Sequence, residues 1–585
     1  MNFNMHCMKS RILVSSILLS PIVALVSACQ TVRLEPVHHS SVNKTHAQKH
    51  MVASAHPLAS EAGLKILRDG GSAVDAAISA QMVLNLVEPQ SSGIGGGAFL
   101  LHFDSKSGAI ESYDGREVAP QTAHSRMFLN SKGEPKSFFD AVVGGESVGV
   151  PGLVRMLEMV HKEHGKLPWE ELFLPAIQLA KNGFPLTPRL AKQLAREKHL
   201  RNTKASLGYL YHPNGEAKKE GDIIKNPAFA KTMLSISENG ADAFYQGNIA
   251  RSIIHAIRSA KKNPGSMTLA DLANYKAIKR IPVCGTYRDK LVCGMGPPSS
   301  GGIATLQILG LINQFDLESM EPASLEAVHL ISEASALAFA DRNTYIADND
   351  FIPVPTEGLV NTEYLRRRAT LINLQQKSGR RQAGTPRIIE SLNLILGDPI
   401  EGESTTHLSV VDRRGNAVAM TSSIENAFGS RVMTSGFLLN NQLTDFSFRP
   451  QRHGRVVANR AAAGKRPRSS MSPTLVFNKD GTLMMAIGSP GGSRIIGFVI
   501  KALVGVIDWR LSLQEAIDLP NFLNRNYGLE IEKGSSLEVI RPQLRAKGHR
   551  VKTFSLMSGL QGIQVTPSGL VGGADKRREG VALGD

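Results

Sequence analysis

Residues 405–412 read Thr-Thr-His-Leu-Ser-Val-Val-Asp, a strand-like run that begins abruptly on the hydroxyl residue Thr405. Before it, residues 397–404 (GDPIEGES) are polar and rich in turn formers, as expected of an exposed, cleavable loop. A threonine at a chain terminus is both nucleophile, through its hydroxyl, and base, through its α-amine. Because Thr405 is internal, this chemistry requires cleavage of the Ser404–Thr405 bond.

The sequence pattern downstream of Thr405 is typical of antiparallel strands. Short apolar runs flank turn signals in three predicted hairpins: 408–412 with 417–422, 474–478 with 482–487, and 562–565 with 570–572. The upstream part is mostly helical, with predicted helices from Pro57 to Gly70 and over 73–87, 175–182, 228–238 and 325–341. Hairpins with helices before and between them predict an α+β fold, a four-layer αββα sandwich.

Two segments read as connections. Residues 89–97 (PQSSGIGGG) form a glycine-rich loop before a predicted strand, 98–103. The loop lacks the lysine and the following helix of a P-loop, so we interpret it as close backbone packing at the edge of a cleft. Residues 375–404 are mostly polar and predict a loosely held linker.

The N-terminus resembles a secretory signal. Lys9 and Arg11 precede an apolar run, 12–26, which is too short to span a membrane comfortably. The run ends in Val-Ser-Ala-Cys (26–29), which is similar to a bacterial lipobox with Cys29 as the lipidated residue. An ordinary signal peptide over 1–28 remains the alternative. Both predict export, to a bacterial periplasm.

The composition is that of a globular protein, with 42% hydrophobic and 20% charged residues. Loss of Lys9 and Arg11 lowers the net charge from +16 to about +14. The basic residues are scattered, with short clusters at 366–368 and 576–578 that we interpret as solvated surface. No basic stripe interleaved with aromatics and no metal-ligand spacing occurs, so we expect no nucleic-acid partner, no metal and no cofactor.

Two cysteines remain beyond the signal, Cys284 and Cys293. If Arg288 and Asp289 form a two-residue turn, the cysteines face each other at a closely spaced pair of two strands. An oxidising compartment then permits a disulfide, while two unpaired buried thiols are equally compatible with the sequence.

Four further motifs carry candidate chemistry. Glycines in 488–493 (GSPGGS), before an apolar helical stretch over 494–507, indicate either a tight turn or exposed N–H groups that hold an oxyanion. The motifs 465–473 (KRPRSSMSP) and 114–117 (DGRE) offer arginine and serines, which grip a carboxylate. The motif 440–446 (NNQLTDF) offers amides and a carboxylate, which grip an ammonium. Together they predict a pocket for an α-amino acid head group.

From about Met51 to the C-terminus the chain resembles the γ-glutamyltranspeptidase family of N-terminal-nucleophile hydrolases. The motifs that carry the resemblance are HPLASEAG, VEPQSSGIGGG, DGRE, PPSSGG, TTHLSVVD, LLNNQLTDF, SSMSPT and GSPGGSRII. The resemblance implies autocleavage into an associated large subunit, 29–404, and small subunit, 405–585. It also implies γ-glutamyl substrates such as glutathione, with amino acid or dipeptide acceptors.

The resemblance assigns roles to individual residues. Thr405 is the nucleophile once freed from Ser404, and the N–H groups of Gly491 and Gly492 stabilise the oxyanion. The remaining substrate-binding residues divide between the two charged groups of the substrate: Arg116, Ser469 and Ser470 for the α-carboxylate, and Gln442 and Asp445 for the α-ammonium.

Three departures from the family pattern stand out. Ser423 replaces a threonine common near the nucleophile, and Glu425 replaces a common asparagine in the amino-group site. The segment 446–464, expected to cover the pocket, is shorter than in some members and has no tyrosine. A missing aromatic lid admits larger substrates and leaves the balance between hydrolysis and transfer open.

Two rival functions fit parts of the sequence. An acylase of the same superfamily, acting on glutaryl-type side chains, is disfavoured by Asp445 and Gln442, because a glutaryl group has no ammonium. An uncleaved, exported binding protein that uses its basic surface would need no cut before Thr405.

Overall fold

The strand that begins at the predicted cleavage point lies inside a seven-stranded sheet. The computed structural model describes residues 45–202, 204–387, 394–397, 401–402 and 404–585, so the predicted signal and Cys29 lie outside the described residues. In chain order, fourteen strands form the two large sheets: β1 His46–Ala47, β2 Met51–Ser54, β3 Gly97–Phe103, β4 Ile110–Gly115, β5 Ile278–Arg280, β6 Val283–Tyr287, β7 Lys290–Gly294, β8 Ser404–Val411, β9 Ala417–Glu425, β10 Thr474–Phe477, β11 Leu483–Gly488, β12 Gln561–Thr566, β13 Gly569–Ala574 and β14 Val581–Gly584.

The first sheet has the order β14-β2-β8-β9-β3-β4-β5, and the second has the order β1-β13-β12-β11-β10-β7-β6. Their neighbouring strands pair antiparallel throughout. The three predicted hairpins are therefore confirmed as β8–β9, β10–β11 and β12–β13. The central position of β8 places Thr405 between strands from both halves of the chain.

Both faces of the central strands are buried, because alternate side chains pack against helices on one face and against the other sheet on the opposite face. On β9, Val418 and Met420 face the helical core, whereas Ala417 and Ala419 face the other sheet. On β10, Val476 faces helices while its neighbours face the first sheet. The sheets thus stack on each other, with helices outside both, and the predicted αββα sandwich is confirmed.

The principal helices follow in chain order: α1 Pro57–Arg68, α2 Ala73–Val87, α3 Leu153–His164, α4 Leu174–Asn182, α5 Pro188–Arg196, α6 Pro227–Asn239, α7 Gly247–Arg258, α8 Gly301–Ile312, α9 Leu325–Tyr345, α10 Thr362–Ala369 and α11 Ile495–Ile507. Helices α1 and α2 cover the first sheet, and α8 and α11 cover the second. A capping box between Ser72 and Asp75 begins α2 at the residue that the sequence predicts. Among the described residues, no helix is both long and apolar enough to cross a bilayer.

Two predictions about surface and linker segments are wrong. Leu394 and Ile395, in the predicted loose linker, pair in parallel with Val456 and Val457 as a short strand. In the basic clusters, Arg368 is buried against Asp341 at 3.3 Å, and Arg578 is also buried. The sequence pattern misled because clustered arginines satisfy buried acceptors as readily as they face water.

Cys284 and Cys293 pair across β6 and β7, three residue pairs away from the predicted turn at Arg288 and Asp289. Their Cα atoms are 4.1 Å apart, and their sulfur atoms are bonded. The structure therefore selects the disulfide over the two free thiols.

We expect this disulfide to stabilise the fold modestly, because it closes a loop with a sequence separation of only 9. The double variant Cys284→Ser/Cys293→Ser should lose about 2–3 kcal/mol of stability and unfold at a lower temperature. Thermal unfolding with and without dithiothreitol measures the effect. Reductant should lower the Tm of the native protein and leave that of the double variant unchanged; equal shifts in both would contradict the assignment.

Candidate active site

Thr405 is the second residue of β8, and the chain bulges at this point. Ser404 pairs with Glu425 and Thr405 pairs with Ser423, so Ile424 of β9 is the extra residue. Glu425 has a φ of 77°, in the left-handed region that a non-glycine side chain rarely adopts. A bulge opposite the Ser404–Thr405 bond takes that bond out of the regular ladder and exposes it to nearby side chains.

The Ser423 hydroxyl lies between the two halves of the predicted scissile bond. It donates to the Ser404 carbonyl at 2.9 Å and accepts from the Glu425 N–H at 2.8 Å. The Thr405 hydroxyl lies 3.3 Å away. Since Ser423 has one proton and gives it to the carbonyl, Thr405 is the donor in their contact. The arrangement polarises the carbonyl that the Thr405 hydroxyl would attack.

Two residues that the sequence analysis did not single out hold the nucleophile strand. Arg578 donates to the Thr405 carbonyl at 2.9 Å, and Thr406 donates to Glu88 Oε2 at 3.1 Å. Burial, with a smaller contribution from neighbouring Arg189, lowers the pKa of Arg578 to about 9, while Glu88 opposes the shift. In the sequence, Arg578 resembles a surface position and Glu88 a helix-end position. Only the fold brings the two residues to β8.

The glycine-containing turn after β11, residues 488–493, lies beside Gly402 and the cavity of Thr405. Gly492 has a φ of 58°, and a Cβ there would lie 2.1 Å from the carbonyl oxygen of Gly402. Gly491, with a φ of 136°, faces Phe498 instead. Glycine is therefore required at both positions, and the N-terminal end of the helical segment follows directly. Gly492 lines the cavity beside Thr405; Gly491 precedes it in the turn.

Three predicted substrate-binding residues are in direct contact. Arg116 Nη2 donates to Asp445 Oδ2 at 2.6 Å, and Gln442 Nε2 donates to the same oxygen at 2.8 Å. Asp445 Oδ1 and Gln442 Oε1 are both buried and have no hydrogen-bond partner. Two unsatisfied acceptors beside one cavity form a receptor for a cationic donor.

Ser469 and Ser470 also line the cavity. Ser470 Oγ donates to Glu401 Oε2 at 2.5 Å, and Arg342 contacts both Ser470 and Glu401. The main-chain carbonyl of Ser469 is held by Ser300, at 2.8 Å from its N–H and 2.7 Å from its hydroxyl. The PPSSGG motif therefore positions the serine pair, and Arg342, which sequence analysis missed, is the arginine beside it.

Glu425 lies where the resemblance expects the amino-group site. It accepts from the N–H of Gly402 and from the side-chain amide of Asn441. Glu401 and Gly402 thus occupy the space between the predicted ligands. The remaining cavity has a volume of about 20 Å³, room for one water.

Three buried acids in and beside the cavity have raised pKa values. Burial raises the pKa of Asp445 to about 6, although Arg116 opposes the shift. Burial also raises the pKa of Glu425 well above its ordinary value, and the neighbouring charge of Asp445 adds to the shift. Glu117, beside Arg116, has its pKa raised to about 8 by burial, so it is protonated at neutral pH. A cation entering this site would hold Asp445 and Glu425 in the charged form.

His407, two residues after the nucleophile, is a structural histidine. Its ring nitrogens contact Thr421 at 2.8 Å and Ser409 at 3.1 Å, and burial lowers its pKa to about 3. The neutral ring fills the space opposite Gly488, where a Cβ would lie 2.3 Å from it. It therefore packs between the two sheets. Both of its ring nitrogens contact hydroxyls other than that of Thr405.

The structure brings nearly all the predicted site residues to one cavity: Thr405, Ser423, Arg116, Glu425, Gln442, Asp445, Ser469, Ser470 and Gly492. The cavity therefore has the Thr405 hydroxyl at a chain bulge, with serine hydroxyls, an arginine and buried carboxylate and amide acceptors around it.

Comparison with known proteins points the same way. The family profile of gamma-glutamyltranspeptidase matches residues 59–585. A glutathione hydrolase proenzyme of Escherichia coli (strain K12) is 38% identical over 543 residues, which is 91% of this chain and 91% of that protein. A glutathione hydrolase proenzyme of Bacillus subtilis (strain 168) is 37% identical over 551 residues, again 91% of each.

The fold is also similar to that of a solved acylase. The crystal structure of cephalosporin acylase from Bacillus halodurans superposes with a TM-score of 0.79 at 26% sequence identity. The match covers 95% of this chain and 99% of the acylase. The whole sandwich is therefore shared with a protein named for a different reaction from that of the glutathione hydrolases.

Proposed function

Because this chain belongs to the γ-glutamyltranspeptidase family of enzymes, we propose that it cleaves itself before Thr405 and then acts on γ-glutamyl compounds such as glutathione. The observation that carries the proposal is the division of its cavity. The Ser470 hydroxyl and Arg342 hold the carboxylate of Glu401 in one part of it, and acceptors of Asp445 and Gln442 stand without partners in another.

Self-cleavage begins with the Thr405 hydroxyl. Its oxygen attacks the Ser404 carbonyl carbon, the C–N bond of Thr405 breaks, and the nitrogen gains the proton, which leaves an ester. Ser423, 2.9 Å from the carbonyl oxygen, stabilises the charge that develops there. Water then hydrolyses the ester, freeing the Ser404 carboxylate and the Thr405 α-amine, and yields subunits 29–404 and 405–585 that stay associated through the shared sheets.

Cleavage also prepares the substrate site. Glu401 and Gly402 occupy the cavity of the uncleaved chain, so this end of the large subunit must leave before substrate enters. Arg578 continues to hold the Thr405 carbonyl, which keeps the new N-terminus in place. The freed α-amine takes the proton of the Thr405 hydroxyl as it attacks the γ-carbonyl of the substrate, with Gly491 and Gly492 as the oxyanion donors.

Substrate recognition follows the charges. The α-ammonium binds the free oxygens of Asp445 and Gln442, with Glu425 as a further anionic partner. The α-carboxylate binds Ser469 and Ser470 beside Arg342, where the carboxylate of Glu401 already lies on Ser470. Arg116, which the resemblance assigns to the α-carboxylate, is paired with Asp445 in the structure. The γ-glutamyl ester on Thr405 then passes to water or to the amine of an amino acid or dipeptide.

Export is a separate part of the proposal. The basic residues and apolar run that precede residues 26–29 support secretion to a bacterial periplasm, with or without a lipid on Cys29. The Cys284–Cys293 disulfide supports an oxidising compartment.

The test of self-cleavage is the Thr405→Ala variant. Without the hydroxyl there is no attack on Ser404, so the purified protein should run as one band of roughly full length and hydrolyse no γ-glutamyl anilide. Thr405→Ser keeps a hydroxyl and should still give two fragments. A Thr405→Ala protein that appears as two fragments and remains active would overturn the mechanism and leave the uncleaved binding protein or another nucleophile.

The acylase alternative is tested through the ammonium site. Asp445→Asn should raise the KM for a γ-glutamyl anilide by ~30-fold or more, the equivalent of about 2 kcal/mol for a lost buried charge contact. The same change should affect a glutaryl anilide little, because that substrate has no ammonium. Equal losses on both substrates, or a native preference for glutaryl, would favour the acylase.

The pH dependence of the native enzyme gives an independent measurement. Since burial raises the pKa of Asp445 to about 6, the group takes up a proton as the pH falls through 6 and loses its attraction for ammonium. The ratio of kcat/KM for γ-glutamyl over glutaryl substrates should therefore fall towards acid pH, with a midpoint no higher than about 6. Titration of the Thr405 amine changes kcat/KM for both substrates alike and cancels in the ratio. A ratio that does not change with pH would contradict the role of Asp445.

A further inference from the structure

A group of metal-ligand side chains lies on the first sheet, outside the cavity of Thr405. His102 on β3 pairs directly with Glu111 on β4, and His164 is the last residue of α3. The imidazole rings of His102 and His164 stack with centroids 3.9 Å apart. One nitrogen of each histidine and one oxygen of Glu111 all lie within 4.8 Å of one another.

The group holds an unused ligand atom. His102 Nδ1 is buried and has no hydrogen-bond partner, and its distance to Glu111 Oε2 is 3.7 Å. A buried imidazole nitrogen without a hydrogen-bond partner is costly unless something binds it.

We propose that His102, Glu111 and His164 bind one divalent transition-metal ion of the zinc class. Two imidazoles and one carboxylate are a set that Zn²⁺ accepts, whereas Ca²⁺ and Mg²⁺ prefer oxygen ligands alone. Bonds of about 2.0–2.1 Å place neighbouring ligand atoms roughly 3.3 Å apart. The separation from Glu111 Oε2 is 3.7 Å for His102 Nδ1 and 2.7 Å for His164 Nε2, so the metal would draw the first pair together and replace the direct contact of the second. Water or Glu163, whose Oε2 lies 3.7 Å from His164 Nε2, would complete the coordination.

The surrounding residues are arranged as supports for such ligands. Lys279 Nζ holds Glu111 Oε1 at 2.6 Å, which leaves Oε2 facing the histidines. Tyr113 OH lies 2.8 Å from His164 Nε2 and 3.0 Å from Glu111 Oε2. Outer partners of this kind orient ligating groups. The side chains of Glu111 and His164 are about one-fifth exposed, so an ion has access from solvent.

The position indicates a structural role. Glu111 is near the start of β4, and Arg116 of the candidate active site follows the end of the same strand. Five residues of strand separate the two by roughly 17 Å. A metal at Glu111 would tie the end of α3 to β3 and β4 without touching the reacting atoms.

Metal binding to the untagged protein, freed of metal by a chelator, tests the proposal. Titration with Zn²⁺ against a chromophoric chelator should show one tight site per chain, and Co²⁺ should give the visible absorption of a four-coordinate nitrogen–oxygen site. Zn²⁺ should raise the Tm by a few degrees, because it binds only the folded chain. The rate of γ-glutamyl anilide hydrolysis should be the same with and without the metal.

His102→Ala and His164→Gln should each weaken Zn²⁺ binding by at least ~10-fold. His255→Gln, which removes an exposed histidine on α7, is the matched control and should bind as the native protein does. Glu111→Gln keeps the side-chain shape and tests the site if His102→Ala fails to fold. Absence of a tight site in the native protein, or equal weakening by His255→Gln, would overturn the proposal whether or not the enzyme is active.

Discussion

The pairing of β8 with β9 at the bulge is the constraint on which the site depends. Ile424 is the extra residue, and this irregularity lets one hydroxyl, that of Ser423, touch both Ser404 and Thr405. The bulge is held because both strands are buried on both faces, so neither can slide without exposing apolar side chains. The rigid sandwich thus stabilises one irregular peptide.

Around this point the cavity concentrates buried charge. Asp445, Glu425 and Glu117 share a small volume with Arg116, and burial raises the pKa of each acid. The residues of this site do not supply all of its hydrogen bonds, because Asp445 Oδ1 and Gln442 Oε1 are buried without a partner. Under the proposed function, a zwitterionic substrate would supply the missing partners, and the carboxylate of Glu401 lies where the α-carboxylate of that substrate would bind.

Local patterns predicted the strands, most helices and the motifs of the site, because alternation, caps and turn residues act over a few positions. They failed for Arg578 and Arg342. Arg578 belongs to a basic cluster that resembles solvated surface, and Arg342 lies inside a buried helix with no motif around it. Both reach the site only because the sheet order brings the chain ends and α9 to β8 and Ser470.

The sequence by itself determined the layers of this protein, the position of Thr405 at the start of a strand and the types of side chain in the pocket, since these depend on periodicity and on short ordered motifs. The tertiary structure alone decided three things: the disulfide rather than free thiols, the occupation of the cavity by Glu401 and Gly402, and the meeting of His102, Glu111 and His164. Each depends on distances between residues far apart in the chain or on register across strands. Such distances follow from how whole sheets pack, which no local pattern records.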